Sequence, residues 1–230
     1  MLRIAFPKGR DLTLARGHVD DLLRDVFGGP LWVKRRAKYI WEWAERPNEE
    51  STVCRGVFMR AREIPALVAR GNYDMGICGS DWVEESGEEK RLYREAPLSP
   101  YVDVVLFCGK DDPLRAPTKV ITADSILSEY PSLTQRELKE TFGYTLEVVP
   151  CSGSAESHVP HDYRFGVCVR ETGKTLEESH QRVLCVLYTS GITLIANLDW
   201  YQQTLKIPHR LDYESLYGAM ERTKAFAQRS

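Results

Sequence analysis

The sequence predicts an α/β fold built from two lobes. Short β-rich runs alternate with helical stretches along the chain, a pattern typical of helices packed on mostly parallel sheets. The alternation occurs twice, and the 230 residues allow two lobes of about 100 residues each, a normal size for small domains. No internal repeat or low-complexity tract accompanies the pattern.

The first set of elements opens the chain. A strand over 2–6 ends at a proline, and an amphipathic helix over 12–27 ends at two glycines. A strand over 57–59 and a short helix over 64–70 follow, with proline in the first turn of the helix. The next strand, over 73–78, stops at Gly79. We expect Asp81 to cap the helical turn over 82–85.

The second set is longer. Its strands are predicted over 102–108, 119–122, 146–149, 165–169, 183–188 and 192–196. Its helices are predicted over 133–142, from 175 to 180 and over 212–228. The polar segment 110–117 carries two prolines and is predicted to be a loop.

Composition excludes several classes of protein. The formal net charge is −2, with 31 basic and 33 acidic residues, so the basic surplus of a general nucleic-acid binder is missing. No apolar run is long enough for a membrane span, and the apolar N-terminal run is too short for a signal peptide. We therefore expect a cytoplasmic location.

The six cysteines form no CxxC pair and are predicted to be buried thiols rather than disulfides or zinc ligands. His158 and His161 have no further ligand nearby, so no metal site is predicted.

The sharpest local motif is Glu171-Thr172-Gly173-Lys174-Thr175-Leu176, between a strand and a helix. Backbone N–H groups at the start of a helix bind phosphate, and Gly173 permits a close approach. Thr172 and Thr175 add hydroxyl donors, and Lys174 adds charge. An ordinary strand–turn–helix with Thr175 as the N-cap explains the same residues, and such turns are more frequent.

Cations follow the first strand and open the second helix. Lys8 and Arg10 stand where α/β sheets bind ligands, and the guanidinium of Arg10 could hold a pyrophosphate through two hydrogen bonds. A basic cluster lies at Lys34, Arg35, Arg36 and Lys38. Arg60 could reach an anion in a cleft. For Lys8 and Arg10 taken alone, a solvated turn is the favoured explanation, and Arg60 could also simply be solvated.

Two glycine-containing turns complete the candidate set. Gly79 ends a strand, where a ligand could approach the backbone closely, although a tight turn after a packed core strand has the same appearance. Gly153-Ser154-Ala155-Glu156 follows another strand, and its small residues suit an anion or the edge of a nucleotide.

Taken in order, these segments resemble the ATP phosphoribosyltransferases, which catalyse the first step of histidine biosynthesis. LRIAFPKGR is similar to the opening strand and Lys-Gly-Arg turn of that family. MRAREIPALVARGNYDMGICGSDWVEE resembles its Arg-x-x-Asp-Ile-Pro helix and the Asp-Leu-Gly-Ile-x-Gly strand. SEYPSLTQRELKETFG, GSAE, ETGKTLEES and TSGITLIAN resemble its later segments, in the family order.

The resemblance implies a type II periplasmic-binding-protein-like fold, in which two lobes face a cleft. The implied lobes are 1–101 with 188–230, and 102–187, with chain crossings near Tyr101 and Tyr188. The family reaction joins N1 of ATP to C1′ of phosphoribosyl diphosphate, with Mg²⁺, and releases pyrophosphate. The implied partners are a second copy of the chain and a separate regulatory subunit, as in the short form of the family.

The resemblance also implies roles for individual residues. Thr172 to Thr175 would hold the 5′-phosphate, and Glu171 and the segment Gly153, Ser154 and Glu156 would contact the same substrate. Lys8, Arg10, and Arg35 or Arg36 would face the pyrophosphate, with Arg60 as a further cation and Gly79 beside the substrate.

One departure from the family pattern leaves alternatives open. The family strand before the Thr-Gly pair carries two acids that face the ribose hydroxyls, and the matching positions here are Arg164 and Cys168. Either Asp162 substitutes, or the sugar substrate differs, or the site is weakened. The functional alternatives are a divergent enzyme that ribosylates another nucleophile and a non-catalytic binding or regulatory protein on the same fold.

Overall fold

The computed structural model describes residues 1–8, 32–44, 54–115, 125–143, 145–170 and 173–205. The predicted helices over 12–27 and 212–228 and the predicted strand over 119–122 lie outside these residues. The strands, in chain order, are β1 Leu2–Pro7, β2 Trp32–Ala37, β3 Ile40–Ala44, β4 Cys54–Met59, β5 Met75–Gly79, β6 Leu92–Arg94, β7 Leu98–Gly109, β8 Ile126–Ser128, β9 Val148–Pro150, β10 Phe165–Arg170 and β11 Gln181–Asn197. The helices are α1 Ile64–Ala69, α2 Ser80–Ser86, α3 Pro131–Phe142, α4 Lys174–Glu178 and α5 Leu198–Leu205.

The chain divides into two compact units. Unit 1 takes Met1–Gly79, Glu88–Pro97 and the chain from Ile192, and unit 2 takes Ser80–Gly87 and Leu98–Gly191. Unit 2 therefore combines the segment Ser80–Gly87 with one long stretch of chain. The lobe bounds that the resemblance implies, at 101/102 and 187/188, stay a prediction.

Unit 1 contains a mixed sheet in the order β2-β3-β4-β1-β5-β11-β6. β4, β1 and β5 are parallel, whereas β11 runs antiparallel to β5. α1 packs closely on β5 at Gly76. A Cβ added to Gly76 would lie only 2.5 Å from the Ile64 side chain, so no larger residue fits there without a shift. Arg3 on β1 binds the buried carboxylate of Asp74 through its guanidinium and its backbone N–H, and this contact ties β1 to the start of β5.

Unit 2 contains strands in the order β7-β10-β8-β9, with β10 antiparallel to β7 and parallel to β8. Both faces of this sheet are covered, since the successive β7 residues 104–109 are all buried. One face packs against α3 through Leu106, Phe165 and Leu133. The other packs Val105, Phe107 and Cys168 against Ala155 and Leu176.

The structure corrects two local predictions and adds one hairpin. The two strands expected over 183–188 and 192–196 are one strand of 17 residues, β11. The β2–β3 hairpin was not predicted. Asp81 does not cap a helix from outside: it lies within α2, is 4% exposed, and accepts a hydrogen bond from Ser190 Oγ at 2.7 Å.

No disulfide joins the six cysteines, all of which lie in the described residues, and four of them are buried. Among the described residues, no helix has both the length and the apolar character that crossing a membrane requires.

Candidate functional site

The carboxyl ends of three parallel strands bring predicted site residues together in unit 1. Pro7 on β1 is level with Met59 on β4, so Lys8 and Arg60 leave adjacent strands that are about 5 Å apart. The backbone N–H of Lys8 donates to the Met59 carbonyl at 2.8 Å. The register between β1 and β5, continued along the strands, places Gly79 level with Lys8. Open α/β sheets bind ligands at such an edge.

Both cations at this edge are exposed. Arg60 has an extended backbone (φ −69°, ψ 134°) and precedes the 3₁₀ turn Ala61–Glu63. The Lys8 Nζ lies 4.9 Å from the centre of the Tyr39 ring, and Lys38 Nζ lies 5.2 Å from the same ring. A hydrogen bond from Lys38 lowers the pKa of Tyr39, and the positive charges of Lys38 and Lys8 lower it further. This edge therefore favours an anionic ligand.

Tyr39 was missed by the sequence analysis. It lies in the turn between β2 and β3, and its carbonyl accepts a hydrogen bond from Phe58 N at 2.9 Å. The available signal was an aromatic residue directly after the basic run that ends at Lys38. Arg35 and Arg36 lie on β2 of the same hairpin, whereas Arg10 lies outside the described residues.

The Gly173 turn follows β10 in unit 2. Gly173 is the N-cap of α4 with φ +79° and ψ −7°, a left-handed conformation that side chains disfavour. Thr175 lies within α4, so the expectation that Thr175 is the N-cap is wrong. Lys174 and Thr175 are exposed, and Glu171 and Thr172 lie outside the described residues. Space is not the constraint at Gly173, since an added Cβ would meet only Arg170 Cδ, at 3.8 Å.

The second predicted segment in unit 2 has an unusual backbone. Gly153 has φ +116°, and Ser154 has φ +60° and ψ 36° just before the 3₁₀ turn Ala155–Ser157. A non-glycine residue in this conformation costs about 1 kcal/mol, and such strain is enriched at functional sites. The carboxylate oxygen Glu156 Oε2 is buried and has no hydrogen-bond partner in the described structure.

Cys168 lies beside this segment. Its thiol is 3% exposed and packs in the cluster that contains Ala155 and Leu176. Burial raises the pKa of Cys168 to about 12, and the negative charges of Glu156 and Glu129 add to the effect. Cys168 is therefore a neutral thiol with two carboxylates near it.

Arg164 and Asp162 are placed elsewhere. Arg164 precedes β10 and the Gly173 turn follows it, so the two lie at opposite ends of the strand. Arg164 Nε pairs with Asp112 Oδ2 at 2.7 Å and lowers the pKa of that carboxyl by hydrogen bonding. Asp162 is exposed and contacts His158 Nδ1 at 2.8 Å. The guanidinium of Arg164 therefore does not add positive charge at the Gly173 turn.

Solved structures with the same fold include an enzyme and a binding protein. The ATP phosphoribosyl transferase (HisG:HisZ) complex from Thermotoga maritima has a TM-score of 0.70 and 21% identity, and the match covers 100% of both chains. The periplasmic aliphatic sulphonate binding protein SsuA from Escherichia coli has a TM-score of 0.52 and 14% identity, covering 99% of this chain and 71% of that chain. The fold is therefore the predicted α/β fold of the type II periplasmic-binding-protein class.

The family follows from sequence. The model of the family HisG, ATP phosphoribosyltransferase, matches residues 60–221, and the chain belongs to this family. The ATP phosphoribosyltransferase of Methanothermobacter thermautotrophicus is 33% identical over 150 residues, which are 63% of this chain and 50% of that protein. The chain spans between 50% and 63% of the length of this relative and two further curated relatives.

Proposed function

We propose that this protein joins N1 of ATP to C1′ of phosphoribosyl diphosphate and releases pyrophosphate, the first step of histidine biosynthesis. The observation that carries the proposal is the family match over residues 60–221. This range contains the strained 153–156 segment and the left-handed turn at Gly173, the two segments that the resemblance assigns to phosphoribosyl diphosphate.

Unit 2 would hold the phosphoribosyl group. The turn from Thr172 to Thr175 would donate backbone and hydroxyl hydrogen bonds to the 5′-phosphate, and Lys174 would add charge. The buried Glu156 Oε2 would accept a hydrogen bond from a ribose hydroxyl, since a buried carboxylate oxygen without a donor costs free energy. Glu156 would then supply the acid that Cys168 does not, with Glu171, Gly153 and Ser154 beside the same substrate.

Unit 1 would stabilise the leaving group. As the bond from N1 to C1′ forms, the bond from C1′ to the diphosphate oxygen breaks and its electron pair leaves with pyrophosphate. Cations aimed at that developing charge lower the barrier. Lys8 and Arg60 leave adjacent strands at one edge, and Arg10, Arg35 and Arg36 are proposed to join them, with Gly79 beside the substrate.

We propose that Mg²⁺ enters with the diphosphate of the substrate. Within the described part of the chain, no group of three His, Cys, Asp or Glu residues could hold a metal ion. Mg²⁺ commonly binds through substrate phosphates with few protein ligands, so the residues present are compatible with a substrate-carried ion.

Partners and location belong to the same proposal. The Thermotoga maritima structure is described as a HisG:HisZ complex, which supports a separate regulatory subunit for this chain. We also propose a homodimer and a cytoplasmic location, as the resemblance implies.

The direct test mixes the protein with ATP, phosphoribosyl diphosphate and Mg²⁺ and follows the N1-linked product by absorbance. We expect product, and we expect Arg60→Ala to lower kcat by roughly 100-fold, because one charge-assisted contact to the transition state is lost. Arg62→Ala is the matched control. Arg62 is also exposed, but it is the middle residue of the 3₁₀ turn rather than the residue that follows β4. Equal kcat for both variants would remove Arg60 from the mechanism.

Cys168 favours a second candidate function, a divergent enzyme or a binding protein on the same fold. A buried neutral thiol is a weak acceptor for ribose hydroxyls, which suits a divergent enzyme acting on another nucleophile or a non-catalytic binding protein. Phosphoribosyl diphosphate that binds in calorimetry but gives no product with ATP would favour this candidate over the first.

A further inference from the structure

Gln181, the first residue of β11, has a buried side chain that no role described above uses. It is 4% exposed. Its Nε2 donates to the backbone carbonyls of Glu156, at 2.7 Å, and Val159, at 2.5 Å. Both partners are acceptors only, so the amide nitrogen must point toward them. One side chain therefore holds both ends of the segment 156–159, which begins with Glu156.

The backbone of Gln181 is fixed from two sides. The carbonyl of the preceding residue, His180, accepts a hydrogen bond from Lys110 N at 2.8 Å. The guanidinium of the following residue, Arg182, donates to the carbonyl of Asp112 at 2.9 Å. The backbone on both sides of Gln181 is therefore held by the loop that follows β7.

The same stretch of chain is attached to α4. His180 N donates to the Glu177 carbonyl and Ser179 N to the Thr175 carbonyl, both at 3.1 Å. Gly173 is the N-cap of that helix, and Gln181 follows its last residue, Glu178, by three positions. The Gly173 turn and the Glu156 segment are thus joined through one short run of chain that ends in the Gln181 amide.

We infer that Gln181 is a positioning residue, which fixes the Glu156 carboxylate relative to the Gly173 turn so that both contact one phosphoribosyl diphosphate. The inference rests on the proposed function. It also explains why an amide occupies a buried position at a cost in stability. The amide oxygen, Gln181 Oε1, is buried without a partner in the described structure, and an unpaired buried oxygen costs free energy. An apolar side chain of similar size would avoid that cost but would release both carbonyls.

The test compares three variants. Gln181→Met keeps the side-chain length and removes both donors. Val104→Ala opens a cavity on the opposite face of the unit 2 sheet and measures the effect of lost stability alone. Gln135→Met makes the same chemical change at an exposed position of α3.

Calorimetry with phosphoribosyl diphosphate and, separately, with ATP gives the readout. For Gln181→Met we expect the Kd for phosphoribosyl diphosphate to rise about ten-fold, the effect of one or two lost hydrogen bonds, while the Kd for ATP is unchanged. Amide hydrogen exchange should become faster over Ala155–Val159 and stay unchanged in α3. Val104→Ala and Gln135→Met should bind both ligands as the wild type does.

Two results would overturn the role of Gln181. The first is wild-type affinity for phosphoribosyl diphosphate in Gln181→Met, which would make the two hydrogen bonds purely structural. The second is an equal loss of affinity for both ligands, which general loosening would explain. If the wild type itself binds no phosphoribosyl diphosphate, the proposed function fails, and the role of Gln181 fails with it.

Discussion

At the scale of single residues, Gly173 and Gly143 form a natural pair. Both have a left-handed backbone, with φ +79° and φ +73°, and an added Cβ meets only an ordinary contact at Gly173 and nothing within 4 Å at Gly143. They differ in position, because Gly173 begins α4 in the predicted phosphate turn and Gly143 ends α3.

We expect Gly173→Ala and Gly143→Ala to lower the free energy of unfolding by a similar amount, about 1 kcal/mol, because each forces alanine into a left-handed conformation. Only Gly173→Ala should also weaken the binding of phosphoribosyl diphosphate. Denaturant unfolding and calorimetry on both proteins check this. Equal ligand affinity in the two variants would reduce the Gly173 turn to a structural role.

The raised thiol pKa values of two cysteines predict how their alkylation rates depend on pH. Burial raises the pKa of Cys185 to about 11 and that of Cys168 to about 12. Since the thiolate is the reactive form, only about one Cys185 in a thousand is reactive at pH 8. Its alkylation by iodoacetamide should therefore accelerate about ten-fold per pH unit between pH 8 and pH 10, measured by mass spectrometry of the native protein. A rate that levels off below pH 9 would contradict the raised pKa.

Counting along the sequence located one strand end near the candidate site but not the partners of the candidate residues. It put Lys8 directly after the first strand, where the structure has it, because an apolar run followed by a cation shows where a buried strand stops. The count matched Arg164 and Cys168 to the two acids of the family strand, and the structure adds that Arg164 precedes β10 and pairs with Asp112. The sequence carries no sign of that pairing, since the two residues are 52 positions apart.

At the scale of elements, Asn197 serves two helices of unit 1. Its Nδ2 donates to the carbonyls of Val68, at 2.9 Å, and Ala69, at 3.2 Å, at the end of α1. Its Oδ1 accepts from Trp200 N at 2.9 Å in the first turn of α5. One buried amide therefore caps the end of one helix and the start of another.

We expect Asn197→Ala to lower the free energy of unfolding by about 2–3 kcal/mol, the combined effect of a lost N-cap and two lost hydrogen bonds. Asn197→Asp separates the two contributions, because the carboxylate still accepts from Trp200 N but cannot donate to α1. It should remain more than about 1 kcal/mol less stable than the wild type. Wild-type stability of Asn197→Asp in denaturant unfolding would mean that only the N-cap matters.

Elements were predictable where local pattern decides them. The strands β1, β5, β7 and β10 are apolar runs, as buried strands of α/β sheets usually are. β11 was divided in two because Thr189-Ser190-Gly191 interrupts its apolar run. Ser190 is nevertheless buried, since its hydroxyl donates to Asp81 and accepts from Asp81 N at 3.1 Å. A polar residue that is satisfied by a distant partner looks like a loop residue when only its neighbours in sequence are considered.

At the scale of the whole molecule, a ligand should stabilise the segments it contacts most strongly. Phosphoribosyl diphosphate at 100 times its Kd adds about 2.7 kcal/mol to the stability of the bound form. We expect slower amide hydrogen exchange over 153–157 and 173–178, where backbone donors would meet the ligand, and little change over α3. Uniform protection of all of unit 2 would contradict localised binding.

β11 also has a consequence for synthesis on the ribosome. Its first residues belong to unit 2, whereas Ile192–Asn197 complete the sheet of unit 1 beside β5. Unit 1 therefore begins to emerge first but cannot finish its sheet until the whole of unit 2 has been translated. At the usual rate of about 5–20 residues per second, the edge of β5 waits roughly 6–23 seconds for its partner. During that interval the nascent chain exposes an apolar strand edge, the kind of surface that chaperones bind and that aggregation begins from.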